Sequence, residues 1–177
     1  MDGHRELVDR QLEEFCVQMN RGCYLNKGGL RELKRSSRGN CENYELAKGH
    51  FQHWNEHYYE IKSRIKDLFR LQYGLALDYP EEFVLNWLEN INRQRIADDQ
   101  ELPAMVQTQL GELCVSLTRG LYLRDSGLRE LQKITFPNRR KVYQLAKKQY
   151  EKLKPEFSTM DRRINNILRL QYDLTLN

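Results

Sequence analysis

The chain carries one sequence pattern twice, and this limits what it can fold into. Residues 11–36 and 109–134 align without a gap, and fourteen of the 26 aligned positions are identical. After a one-residue insertion the match continues towards the end of the chain, where FRLQYGLAL (69–77) faces LRLQYDLTL (168–176). A pattern that recurs at a fixed spacing indicates one structural unit used twice, so the sequence predicts a pair of like surfaces.

The spacing of apolar residues in both copies is that of helices. They recur at intervals of three and four, and the β-branched residues follow the same spacing without alternating. The matched sets are Leu12, Phe15, Cys16 and Met19 in the first copy and Leu110, Leu113, Cys114 and Leu117 in the second. We predict an all-α fold with about nine helices: two tandem related helical bundles of about four helices each, joined by a connector helix.

These bundles divide the chain into three parts. We predict a first helical repeat at 1–77, a connector helix at 78–103 and a second helical repeat at 104–177. Pro80 followed by Glu81 is a favourable helix start, because proline suits the first turn and a carboxylate there stabilises the helix dipole.

Glycines are expected to divide each repeat into helices. Gly22 and Gly120 stand where the first apolar run of each copy stops, which is typical of a helix end. A short turn and a helix of one or two turns around LREL should follow. Arg70 with Gln72, and Arg169 with Gln171, are polar pairs among leucines in both copies, which indicates either capping of a neighbouring turn or contact with the other repeat.

The sequence gives no sign of a membrane or an oxidising compartment. It has no run of 18 apolar residues and does not begin with a secretory signal. Its four cysteines form no CxxC pair, and two of them lie in apolar helical stripes. We therefore predict a cytoplasmic protein with reduced thiols and no membrane partner.

Positive charge is concentrated in the two copies. The net charge is +3 over 11–77, −5 over 78–108 and +7 over 109–177. Cations that centre on the same turn and short helix of each copy could neutralise phosphates and release counterions. The predicted nucleic-acid contacts are Arg21, Lys27, Arg31, Lys34, Arg35, Arg38, Arg119, Arg124, Arg129, Lys133, Arg139, Arg140, Lys141, Lys147 and Lys148.

Two functions fit this charge pattern. The first is a non-catalytic subunit of a larger nucleoprotein complex that binds the RNA or DNA backbone without regard to sequence. The second is a protein–protein adaptor or self-assembling scaffold, whose basic copies dock acidic partners or the acidic connector of another copy of the chain. A solvated basic face without a ligand is the third interpretation of the same charges.

The sequence lacks the motifs of an enzyme. It contains no GxxxxGK[ST], GxGxxG, GxSxG or HExxH, so we predict no catalytic residues and no cofactor. His50, His53 and His57 share one helix face, but the second copy has Gln149, Lys152 and Glu156 there, so we predict no metal site.

Tyrosines are unusually frequent, and several are paired between the copies. Rings of this kind can stack on nucleic-acid bases, but most lie on or beside apolar stripes, which favours packing. Tyr58 and Tyr59 are adjacent and cannot both face one core, so at least one is predicted to lie at the surface.

Overall fold

The computed structural model describes residues 2–36, 41–75, 103–133 and 137–174. The residues in these ranges are almost all helical and none is in a strand, which confirms the all-α prediction. The helices are α1 (Asp2–Tyr24), α2 (Leu30–Arg35), α3 (Cys41–Glu56), α4 (Tyr58–Gln72), α5 (Ala104–Tyr122), α6 (Leu128–Lys133), α7 (Pro137–Leu153) and α8 (Phe157–Gln171). The predicted connector helix, apart from its last residue, lies outside the described ranges.

Each LREL helix continues directly from the long helix before it. A π-helical turn, Leu25–Gly29, joins α1 to α2, and the Leu30 amide donates to the carbonyl of Leu25, five residues back. An equivalent π turn, Leu123–Gly127, joins α5 to α6. The predicted loop-like turn at both places is therefore wrong, because one extra residue is absorbed within a continuous helix.

Gly22 and Gly120 do not end their helices, which corrects a second prediction. Both are buried inside α1 and α5. A Cβ atom built on Gly22 would lie 2.0 Å from Cγ of Trp54, and one on Gly120 would lie 2.4 Å from Cε1 of Phe157. These glycines thus allow an aromatic ring to pack against the helix backbone.

Helices three and four of each half are separated at matching places. In the first half, His57 interrupts the helix between α3 and α4. In the second half, a 3₁₀ turn, Lys154–Glu156, which contains Pro155, lies between α7 and α8. In both halves the fourth helix folds back on the first, so that α4 packs on α1 and α8 packs on α5.

The helices of both halves share one hydrophobic core. The largest helix–helix contact in the described residues is between α1 and α5, which are equivalent in the two sequence copies. Cys16 and Cys114 are fully buried and lie close enough for the charge of one thiolate to raise the pKa of the other. The predicted arrangement of two tandem bundles joined by a connector helix is therefore not confirmed.

The two halves also exchange polar contacts reciprocally. Arg70 of α4 forms an ion pair with Glu130 of α6 (2.7 Å), and Arg169 of α8 forms one with Glu32 of α2 (2.7 Å). These contacts confirm that the polar residues within the fourth helices reach the other half.

A tight turn ends each of the fourth helices. Gly74 has φ +70° and Asp173 has φ +62°, and the next residue in each half donates its amide to a carbonyl five residues back (2.8 Å in both). This arrangement is a Schellman motif, which satisfies terminal carbonyls and returns Leu75 and Leu174 to the core.

Candidate nucleic-acid interface

The basic residues of the first half lie on the continuous helix that contains α1 and α2. Lys27 is in the π turn, and Arg31, Lys34 and Arg35 follow in α2. All four are exposed, and their spacing of four, seven and eight residues places them on one side of the helix. We call these four cations the first-half stripe. Arg38 lies outside the described residues.

Arg21 and Arg119 do not belong to an exposed surface. Arg21 is buried and donates to Oε1 of Gln171 (2.9 Å). Arg119 is half-buried, donates to Oε1 of Gln72 (2.7 Å) and lies over the ring of Phe69 (5.3 Å to its centre). These two guanidinium groups join the halves to each other, so we leave them out of the proposed contact surface.

Three predicted contacts of the second half lie at the end of the other continuous helix. Arg124, Arg129 and Lys133 are exposed. The Nε atom of Arg124 is 2.9 Å from the carboxylate of Asp125, so its charge is partly compensated. Arg129 and Lys133 are thus the stronger phosphate candidates of this group.

The densest cluster of cations is on α7. Five exposed cations and one exposed carboxylate, Glu151, occupy its outer side, and the five form no ion pair with another described residue. We call this set the α7 patch. It consists of Arg140, Lys141, Lys147, Lys148 and Lys152. The side chain of Arg139, also predicted as a contact, lies outside the described residues.

The equivalent helix of the first half is not basic. The exposed charges of α3 include Glu42 and Glu45 as well as Lys48. The two halves therefore present unequal surfaces. In the first half, α3 adds no basic cluster to the first-half stripe, whereas in the second half α7 contributes the whole α7 patch.

Further exposed cations were not among the predicted contacts. Arg162 and Arg163 lie on α8, opposite its buried apolar residues, and Lys62 and Lys66 lie on α4. Helical periodicity could have identified them, because the buried positions of both helices were clear from the sequence.

The three histidines of α3 and the following turn do not converge on one point. Nδ1 of the buried His50 is 2.7 Å from the hydroxyl of Tyr172. The rings of His53 and His57 are 4.6 Å apart, and burial, followed by the nearby His57, lowers the pKa of His53. No cluster of three metal-ligating side chains occurs among the residues that the structure describes.

The thiols and tyrosines of the core are not activated for chemistry. Burial raises the pKa of Cys16 to about 12 and also raises the pKa of Cys114. Burial and the carboxylate of Glu32 likewise raise the pKa of Tyr24. Tyr59, by contrast, is 83% exposed, which confirms that one of the two adjacent tyrosines lies at the surface.

Comparisons with known proteins give no further identification. No protein-family model, curated protein or solved structure matches the chain. In the described part of the chain, no helix is both long and apolar enough to cross a membrane.

Proposed function

We propose that the protein is a non-catalytic cytoplasmic subunit that binds the backbone of a nucleic acid without regard to sequence. The observation that carries this proposal is the α7 patch, where five exposed cations accompany a single carboxylate. Phosphate neutralisation with release of counterions is the main source of sequence-independent affinity for nucleic acids.

The length of the α7 patch suits several phosphates. Lys141 and Lys152 are eleven residues apart, which corresponds to about 17 Å along a helix. One strand of a DNA duplex carries a phosphate about every 3.4 Å, so this distance covers about five phosphates. Arg129, Lys133 and the first-half stripe supply further exposed cations on helices that pack around the same core.

Salt dependence is the direct test of this proposal. Fluorescence anisotropy should show that affinity for a labelled single-stranded 30-mer falls steeply between about 50 and 200 mM salt. Replacing Lys141, Lys147, Lys148 and Lys152 by glutamine should reduce the slope of log K against log salt by about 2.8, which is about 0.7 for each phosphate that is no longer neutralised.

A matched variant controls for net charge. Glutamine at Arg5, Arg10, Lys48 and Lys66 removes four exposed cations from other helices and should change the slope much less. The proposal fails if affinity does not change with salt, or if the slope falls by the same amount in both quadruple variants.

One observation favours an acidic protein partner as the second candidate. Leu145 is 56% exposed and lies one turn from both Lys141 and Lys148, so an exposed apolar side chain adjoins the α7 patch. An apolar contact beside polar and charged groups is typical of protein interfaces. Leu145→Gln should leave nucleic-acid affinity nearly unchanged, whereas a marked loss of self-association in light scattering would favour the adaptor or scaffold.

A further inference from the structure

A surface cleft of about 280 Å³ lies beside the π turn of the first half. The π turn and the end of α1 form one side, with Cys23, Lys27 and Gly28, and α8 forms the other, with Asp161 and Asn165. This volume is close to the lower limit of small-molecule sites, about 300 Å³, so the cleft has room for one flat ring system. π-helical turns are also found frequently at functional sites.

Two opposite charges border the cleft without compensating each other. Lys27 and Asp161 are both exposed, and neither forms an ion pair with another described residue. The third charged residue of the cleft, Glu32, is already paired with Arg169 (2.7 Å). One cation on one side and one carboxylate on the other are therefore available to a ligand.

The positions equivalent to the cleft residues, each in the opposite half, carry different chemistry. Lys27 corresponds to Asp125, Asp161 corresponds to Lys62, and Asn165 corresponds to Lys66. Cys23 corresponds to a leucine. The π turn of the first half and α8 of the second half form the cleft together, and its combination of groups is not repeated at the equivalent positions.

We propose that this cleft binds one unpaired guanine base of a nucleic-acid strand held by the first-half stripe, an inference that rests on the proposed function. Guanine offers N–H donors on one edge, which suit Asp161, and the acceptors O6 and N7 on another, which suit Lys27. Asn165, one helical turn from Asp161, adds a side-chain amide on the side of the cleft that would contact the N–H donors of guanine. Adenine has an amino group next to N7 and so repels a lysine at that position.

The arrangement of the cations supports a strand at this position. Lys27 borders the cleft, and Arg31 and Lys34 continue from it along the same side of the helix. Phosphates on these cations would position the strand, and the cleft would read one base, which must be unpaired to expose its edges.

The test compares oligonucleotides that differ at one base. A uridine-rich 12-mer with one central guanine should bind about tenfold more tightly than the same 12-mer with adenine, as expected for one well-placed base contact. Inosine, which lacks the N2 amino group, and 7-deazaguanine, which lacks N7, should each lose much of this preference. Equal affinities for guanine and adenine would overturn the inference.

A variant that fills the cleft tests whether the preference for guanine arises there. No atom lies within 4 Å of a Cβ built on Gly28, so Gly28→Leu can project into the cleft without disturbing the core. It should abolish the preference for guanine while keeping the salt dependence. Gly49→Leu is the matched control, because Gly49 is also in a helix with open space around it, and it should keep both properties.

A mononucleotide experiment separates failure of this inference from failure of the proposed function. In a Cys41→Ser background, Cys23 is the one half-exposed thiol among the described residues, since Cys16 and Cys114 are buried. Guanosine monophosphate should slow alkylation of Cys23, and adenosine monophosphate should not. If no oligonucleotide binds but this protection occurs, the proposed function fails and the cleft is a site for free guanine nucleotides; if neither occurs, both proposals are wrong.

Discussion

Substitution of Gly22 tests the packing between the first and third helices. A Cβ atom at this position would lie 2.0 Å from Cγ, 2.1 Å from Cδ2 and 2.3 Å from Cδ1 of Trp54. The indole cannot easily move away, because Trp54 is only 8% exposed and its Nε1 donates to the sulfur of Met19. Gly22→Ala should therefore destabilise the protein although alanine is the better helix former.

The expected magnitude follows from two opposing effects. Alanine in a helix interior is favoured over glycine by about 1 kcal/mol. Inserting a methyl group into a packed core costs about 1–3 kcal/mol. At Gly49, where no atom lies within 4 Å of the added Cβ, only the first effect operates. The free energies of unfolding of Gly22→Ala and Gly49→Ala should thus differ by about 1–3 kcal/mol.

Urea unfolding in a double-mutant cycle measures this contact. Trp54→Leu introduces the residue that the second half has at the equivalent position, Leu153, and removes the indole. In that background Gly22→Ala should behave like Gly49→Ala. If the cost of Gly22→Ala stays the same without the indole, the reasoning is refuted, and the glycine is required for its backbone conformation instead.

Two further stability predictions follow from the helix ends and the buried thiols. Asp173 has a positive φ of 62° where the first half has Gly74, so Asp173→Gly should raise the free energy of unfolding by about 0.5–1 kcal/mol in urea titrations, and a loss would contradict the assigned turn. Burial raises the pKa of Cys16 from 9.0 to about 12, so thiolate forms first in the unfolded chain and stability should fall with rising pH across this interval. For this thiol the free energy of unfolding should fall by up to about 1.4 kcal/mol for each pH unit. Urea unfolding under reducing conditions should show a smaller dependence on pH for Cys16→Ala. If the pH dependence is unchanged in this variant, Cys16 is not its source.

The sequence predicted the helical class and the core because apolar spacing reports both directly. Leu12, Phe15, Leu110 and Leu117 are buried as that spacing requires. That Arg70 and Arg169 need polar partners was also predictable, since both are polar residues among leucines. Which partner it has depends on how the halves pack, and this information is spread over the whole chain.

The wrong predictions for Gly22 and Arg21 have a common physical cause: the packing that decides them involves residues distant in the chain. Glycine suits both a helix end and a close approach of two elements, and only the position of Trp54 distinguishes them at Gly22. Arginine is usually exposed, so the burial of Arg21 was not evident from its own neighbours in sequence. The cleft beside Lys27 could not be predicted from the sequence, because its second side, Asp161 and Asn165, is more than 130 residues away in the chain.

The reciprocal contacts between the halves have a consequence for the rate of folding. Arg21 and Gln171 are 150 residues apart, and His50 and Tyr172 are 122 residues apart, yet each pair is joined in the core. Chain segments this distant must come together before the core can form. Closing such a long loop costs conformational entropy, and this slows folding. The protein should therefore refold more slowly than helical bundles of its size, whose contacts are mostly local. Each half alone would lack the side chains that complete its core, so the native state should form only when both halves have been synthesised.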